Sequence, residues 1–342
     1  MKSNRLGRSP IFVSSLCLGT MTFGSFTDEK ESFRIMDQAL DAGINFLDTA
    51  EIYPVPPDEK WVYLTEEIIG KWLESKPRDA VVIATKVAGP PHGWFTPPLR
   101  NGMTFLDRHN IFKAIEGSLR RLKTDYIDVY QIHWPDPKAD KESLYLEILE
   151  TLTKLREQGK IRIAGCSNET PWGLMKSLAV SEKYNTIRYE TIQNNFSILN
   201  RRFEDSLAEI SRKEQVSLLP YSPLAGGVAT GKYLQEHPPE NARFVYYQKM
   251  GERQKKQVKK YLNPKTLETV KRLQPIAQEL NISLTTLSIA WCMDHDFVAS
   301  VIFGVTHSNQ LIDILKATEV KLDKEIKKKI DEITTDILYP LG

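Results

Sequence analysis

Residues 126–167, YIDVYQIHWPDPKADKESLYLEILETLTKLREQGKIRIAGCS, contain one complete unit of the architecture. The run 126–133 is apolar and β-branched, and 161–167 repeats that character. Between them, 143–158 carries apolar residues at helical spacing, with Leu149 and Leu155 on one face. Strand, helix and strand in this order imply a right-handed crossover between parallel strands. The alternation extends in both directions. Strands are predicted at 15–19, 45–49, 80–86, 126–133, 161–167, 191–195, 216–221 and 301–304. Helices are predicted at 31–42, 64–74, 110–122, 143–158, 172–183, 203–212, 264–293 (as two helices) and 309–318. Phe33, Met36, Ala39 and Leu40 mark the apolar stripe of the first. Eight such units close most simply into a (β/α)8 TIM barrel, an α/β fold. No repeat, low-complexity tract or linker divides the chain, so 1–342 is expected to be one domain. The residues beyond a minimal barrel fall in three places: 1–14, read as an N-terminal hairpin at the barrel floor, and two long rim loops, 87–109 and 223–263.

Bulk composition narrows the function classes. Of 342 residues 41% are hydrophobic and 26% charged, and 46 Lys+Arg against 44 Asp+Glu leave a net charge of +2. That balance creates no field to draw in nucleic acid or a membrane surface. The longest apolar runs are strand-sized, far short of the ~20 residues that span a bilayer. The basic start at 1–8 is followed by no signal-peptide core. Cys17, Cys166 and Cys292 are odd in number and widely spaced, which suits a reducing compartment, so a cytoplasmic location is expected. Residues 249–260 carry six basic side chains against one acid. Without interleaved aromatic residues they read as the solvated face of a helix, and 327–329 read the same way.

In a parallel barrel the active site lies at the carboxyl ends of the strands. After the eight predicted strands come, in order, Gly19-Thr20-Met21, Asp48 with Tyr53 five residues on, Lys86, His133, Ser167-Asn168, Gln193, Tyr221-Ser222 and Gly304. Each has a structural explanation when taken singly: a strand-end cap for Asp48, a rim lysine for Lys86, a satisfied histidine for His133, a packed turn tyrosine for Tyr53. Their convergence at the ends of three consecutive strands points to function, because ionisable groups enclosed in a barrel mouth cost free energy unless they pair.

The segments GINFLDTAEIYP, VVIATKV, DYIDVYQIHWPD, IRIAGCSNET, TIQNNFSILNR, YSPLAGG and VIFGVTHSNQL, in that order, resemble the successive signatures of the aldo-keto reductases, closest in appearance to the Tas-like and potassium-channel β-subunit-like branch. The resemblance covers essentially the whole chain. It implies a barrel enzyme that reduces aldehydes or ketones with NADPH, with NADH as the alternative, and Asp48, Tyr53, Lys86 and His133 as its catalytic tetrad. In such a tetrad Tyr53 is the general acid. A lysine ammonium pulls the phenol pKa down from about 10, Asp48 keeps Lys86 charged, and His133 donates to the carbonyl oxygen. No G-x-G-x-x-G follows a strand, and GTMTFG has the wrong spacing, so a Rossmann site is disfavoured.

The cofactor residues implied by the resemblance are Gly19, Thr20, Met21 and Asp48 at the first two strand ends. Ser167, Asn168 and Gln193 would hold the nicotinamide amide, and Tyr221 would stack on its ring. Ser222, Pro223, Leu224 and Gly226 would approach the pyrophosphate, with Lys232 as its counter-charge. Gly304, Thr306, Ser308, Gln310 and Asp313 would hold the adenosine. Two departures stand out. The turn 305–309 lacks the Lys or Arg that many relatives place on a ribose 2′-phosphate, leaving Arg243 as the candidate, and Ile314 stands where many relatives have an adenine-contacting Asn. The substrate pocket is expected from Phe23, Trp94, Phe95 and Trp134, with Tyr246 and Tyr247 nearby, while His92 and His109 read as surface residues. The partner expected is a small carbonyl compound, with neither nucleic acid nor membrane; oligomeric state is left open. A cofactor-sensing regulatory subunit is the second reading. A metal-dependent hydrolase is a distant third, since only His133 of the six histidines stands at a strand end.

Overall fold

A hydrogen-bonded ring of parallel strands positions the site. The computed structural model describes residues 1–90, 99–102, 104–136 and 141–341. Two short strands, β1 (Ser3–Arg5) and β2 (Phe12–Ser14), pair antiparallel. Eight more run parallel: β3 (Leu16–Gly19), β4 (Phe46–Asp48), β5 (Val82–Val87), β6 (Ile127–Ile132), β7 (Ile161–Ser167), β8 (Tyr189–Gln193), β9 (Ser217–Leu218) and β10 (Val301–Phe303). The order β10-β3-β4-β5-β6-β7-β8-β9 is closed by Leu218 N donating to Phe297 O at 2.8 Å and Ile302 N to Pro220 O at 2.9 Å. The fold is a (β/α)8 barrel, as the alternation of sequence patterns predicts.

The outer ring is formed by α1 (Glu29–Asp41), α2 (Leu64–Leu73), α3 (Arg108–Leu122), α4 (Glu142–Glu157), α5 (Pro171–Tyr184) and α6 (Leu207–Glu214). The seventh loop contains α7 (Arg243–Gln248) and α8 (Glu252–Tyr261), followed by α9 (Pro264–Glu279), α10 (Leu284–Met293), α11 (Leu311–Lys316) and α12 (Lys324–Asp336). Caps explain several starts. Asp28, Asp107, Thr170 and Ser283 each accept from a backbone N–H in the first turn of α1, α3, α5 and α10. Ser283 and the left-handed Asn281 also explain why 264–293 is two helices.

The floor is plugged by the hairpin. Leu6, Ile11 and Val13 are buried against Cys17, Phe46, Val82, Val129, Ile163 and Leu219 from inside the ring. Gly7 makes the turn at φ +55°, and a Cβ there would stand 2.5 Å from the Glu190 carbonyl oxygen, so only glycine fits. Among the described residues no helix is long and apolar enough to cross a membrane, and no group of three or more His, Cys, Asp or Glu side chains is gathered as a metal site would need.

Candidate active site

The rim brings Asp48, Lys86, Tyr53 and His133 together. Asp48 ends β4, Lys86 is the penultimate residue of β5, and both side chains are buried. Lys86 Nζ donates to Asp48 Oδ2 and to the Thr49 carbonyl, each at 2.7 Å. Burial alone would drive the proton off this ammonium, but the Asp48 carboxylate and the Tyr53 phenol outweigh it and hold Lys86 above its ordinary pKa. The second carboxylate oxygen, Oδ1, accepts from Gln193 Nε2 at 2.8 Å and Gln131 Nε2 at 3.4 Å. Asp48 is therefore fixed by three donors from three other strands.

Tyr53 sits on the loop from β4 to α2, with Lys86 Nζ 5.1 Å from the centre of its ring. Burial pushes its phenol above the usual value of 10; Lys86, by charge and hydrogen bonding, pulls it down without reversing the shift. The downward influence read from sequence is there, but enclosure is the larger effect. His133 follows β6 directly. Its ring meets Tyr53 edge-on (centroids 5.8 Å, planes 81° apart) and stacks on Trp134 at 3.7 Å and 9°. Burial, with Lys86 second, holds it well below 6.5, so the imidazole is neutral at physiological pH. Its Nδ1 is buried with no partner among the described residues.

The residues ascribed to cofactor binding are arranged around this centre with varied engagements. Asn168, left-handed at φ +56°, donates to the His133 carbonyl at 2.9 Å and accepts from the Tyr221 hydroxyl at 2.7 Å. Ser167 donates to the Gln193 carbonyl at 2.8 Å. On both sides of Pro223 the backbone turns left-handed, at Ser222, Ala225, Gly226 and Gly227, the kind of conformation that aims N–H groups into an anion-binding concavity. Lys232 lies on Gly227, where a Cβ would stand 2.8 Å from its Cε. Neither Lys232 nor Arg243 has an ion-pair partner among the described residues. Burial first, and the Arg243 charge second, hold Lys232 below its ordinary pKa. Two uncompensated cations beside a concave backbone fit a dinucleotide's phosphates. At the eighth strand, Gln310 accepts from Thr306 N, and Ser308 N donates to Glu31 Oε1 at 2.7 Å, so protein acceptors already occupy these amides. Gly304 is exposed, as is Asp313, whose carbonyl accepts from Thr286.

Two expectations, for Phe23 and Thr20, need correction. Phe23 is fully buried in the core, where its carbonyl accepts from Thr65, so it lines no pocket. Thr20 is fully buried with both its amide and its hydroxyl given to the Asp48 carbonyl; its side chain braces a strand end. Ile314 is buried against the core, which explains an apolar residue there in place of an adenine contact. Gln193 spends its amide on Asp48, a role the sequence did not suggest. Met21 is half-buried, with its carbonyl taken by Val55 N, and Gly19 leaves room for Ile302, which a Cβ would touch at 2.8 Å. Trp134 is half-buried; Trp94, Phe95 and His92 lie outside the described residues, and His109 is exposed. Tyr246 is exposed and Tyr247 buried, both against Phe26 of the first loop. Sequence reasoning missed Gln131, hidden mid-strand, and Glu51, an acid in an otherwise apolar stretch.

The enclosed Asp–Lys pair, the tyrosine and the neutral histidine stand at the carboxyl rim of a closed parallel barrel, where enzymes of this architecture carry out their chemistry. The profile of the aldo/keto reductase family matches residues 15–335, and the chain belongs to that family. It is similar to protein Tas of Escherichia coli (36% identical over 99% of both chains) and to the "Uncharacterized oxidoreductase YrpG" of Bacillus subtilis (36%, covering 97% of this chain and 96% of that one). It is also similar to a rice protein named "Probable voltage-gated potassium channel subunit beta" (32%, 97% and 96%).

Proposed function

We propose that the protein reduces aldehydes or ketones to alcohols with NADPH as hydride donor, Tyr53 supplying the proton. The observation that carries this reading is the buried Lys86–Asp48 pair against the Tyr53 ring. A fully enclosed ammonium beside a phenol stabilises the phenolate that appears once the proton has left. Bound nicotinamide would supply the hydride to the carbonyl carbon. The carbonyl oxygen then takes the Tyr53 proton, and solvent reprotonates the phenolate. His133, neutral and with a buried unpartnered Nδ1, is best satisfied with its proton on Nε2, because an orphaned lone pair is less costly than an orphaned N–H; Nε2–H donates to the carbonyl oxygen. Ser167, Asn168, Gln193, Tyr221, the 222–227 backbone, Lys232 and Arg243 would hold the dinucleotide. The half-buried Trp134, stacked on His133, forms one wall of the substrate site.

A steady-state screen of aldehydes, ketones and quinones with NADPH and with NADH tests the reading. Oxidation of either cofactor coupled to alcohol formation supports it; tight dinucleotide binding with no turnover across the screen favours a cofactor-sensing subunit instead. Arg243 is the proposed reader of the 2′-phosphate. Arg243→Ala should raise KM for NADPH by about tenfold, the worth of one charge-assisted contact at a half-exposed site, and leave that for NADH nearly unchanged. Equal effects on both cofactors would reject that role.

A further inference from the structure

Two residues before Tyr53, in a stretch otherwise apolar or small, stands Glu51, and its side chain is almost fully buried. Its Oε1 accepts from Ala88 N at 2.7 Å and its Oε2 from Arg100 Nη1 at 2.6 Å, while Arg100 Nη2 reaches the Ala88 carbonyl at 3.2 Å. Its own amide donates to the Lys86 carbonyl at 3.3 Å. One carboxylate thus ties three segments together: the loop that carries Tyr53, the chain just past Lys86, and the turn Leu99–Gly102 within 87–109. Apolar packing follows the same path. Leu99 is buried with Ala50, Ile52 and Ala88, and Tyr53, Tyr63 and Trp134 pack on that cluster.

Two costs show that the junction is more than filler. Arg100 adopts a left-handed backbone, φ +48°, that side-chain-bearing residues rarely hold, and its Nε is buried with no partner among the described residues. A buried ion pair is also a poor way to gain stability, because well-packed apolar residues of the same volume do as well or better; what it does supply is registry between segments. The segments registered here carry the phenol and the ammonium of the site described above.

We propose that Glu51 and Arg100 are positioning residues: their buried pair fastens residues 99–100 to the strand ends and holds Tyr53 in register with Lys86, so that this junction and the aligned acid form one unit. The proposal rests on Tyr53 acting as the acid. Misalignment by about 1 Å can cost up to ~100-fold in rate. Glu51→Gln and Arg100→Met should therefore each lower kcat roughly 10- to 100-fold while the dissociation constant for NADPH, read by its fluorescence, changes by less than about twofold.

Arg100→Lys, which keeps the charge, should recover most of the loss, and the Glu51→Gln/Arg100→Met double variant should be no slower than the slower single one. In the cofactor-free full-length protein, amide hydrogen exchange at Ala88 and at residues 51–53 should quicken in both single variants. Unchanged kcat, multiplying effects in the double variant, or Arg100→Lys no better than Arg100→Met with melting temperature and activity lost together, would each overturn the latch. If the wild type turns over no carbonyl compound, the catalytic reading fails by itself. The exchange measurement, which needs no substrate, still decides whether the pair fastens these segments, and unaltered exchange there rejects it.

Discussion

Tyr53→Phe is expected to lower turnover of carbonyl substrates by about 10²–10⁴-fold, the usual contribution of a positioned general acid, while leaving dinucleotide binding and melting temperature close to those of the wild type. The substitution keeps the ring that lies 5.1 Å from Lys86 Nζ and meets the edge of His133, and removes only the hydroxyl. Stopped single-turnover oxidation of NADPH, with binding measured separately by fluorescence, separates the two effects; a variant as fast as the wild type would leave the reaction without its proposed proton donor. The pH dependence follows from the direction of the shifts. Burial carries the Tyr53 phenol above 10 despite the ammonium beside it, so the acid is protonated throughout the neutral range. The reductive kcat/KM should stay level there and fall only as pH rises through the phenol's elevated pKa, and this alkaline limb should be missing in Tyr53→Phe. His133 should add no inflection near 6.5, because burial and Lys86 hold it well below that value.

The barrel is legible in the sequence because its evidence is repeated eight times, and an error at one strand leaves the others standing. The fifth, 161–167, is matched residue for residue, whereas β8 lies two residues earlier than predicted, at Tyr189–Gln193. The reason is local. Tyr189 is a buried member of the core and extends the strand backwards, while Asn194 and Asn195 leave the ladder, Asn195 pairing with Tyr221 in an isolated bridge. The helix α12 follows the last predicted segment, and its charge-rich sequence reads as solvated surface, although Ile326 and Ile330 are buried on its inner face. At the site, strand ends reveal which residues collect at the rim but not which way they turn. Gln193 reaches across to Asp48, and Phe23 turns into the core. Glu51 and Gln131 were illegible for the same reason. A lone acid or amide in an apolar run says nothing of its partner, and the partners here, Arg100 and Asp48, are distant in the chain.

Lys86→Met should be damaging twice over, and the two effects can be separated. Turnover is expected to fall by about 10²–10⁴-fold, since the phenolate formed by Tyr53 loses the charge that stabilises it. Stability is expected to fall by about 3–5 kcal/mol, because Asp48 remains buried with only amide donors from Gln193 and Gln131 in place of its ion-pair partner. Adding Asp48→Asn removes the orphaned charge while keeping an oxygen for those amides. The double variant should therefore regain most of the lost stability in chemical denaturation and none of the lost activity. Recovery of both, or of neither, would mean that the pair is a single structural element and not a buried charge held ready for the phenol. The sign of the pH effect gives a second check. Burial opposes the Lys86 charge, but Asp48 and Tyr53 outweigh it and raise its pKa above the ordinary 10.5, so the ammonium's contribution is complete below 10.5 and is lost as pH rises through the higher folded-state value. As pH rises from neutrality, the stability gap between wild type and Lys86→Met should thus hold and narrow only in strongly alkaline solution; a gap that narrowed at the first rise above neutrality would show that Lys86 is not held as an ammonium.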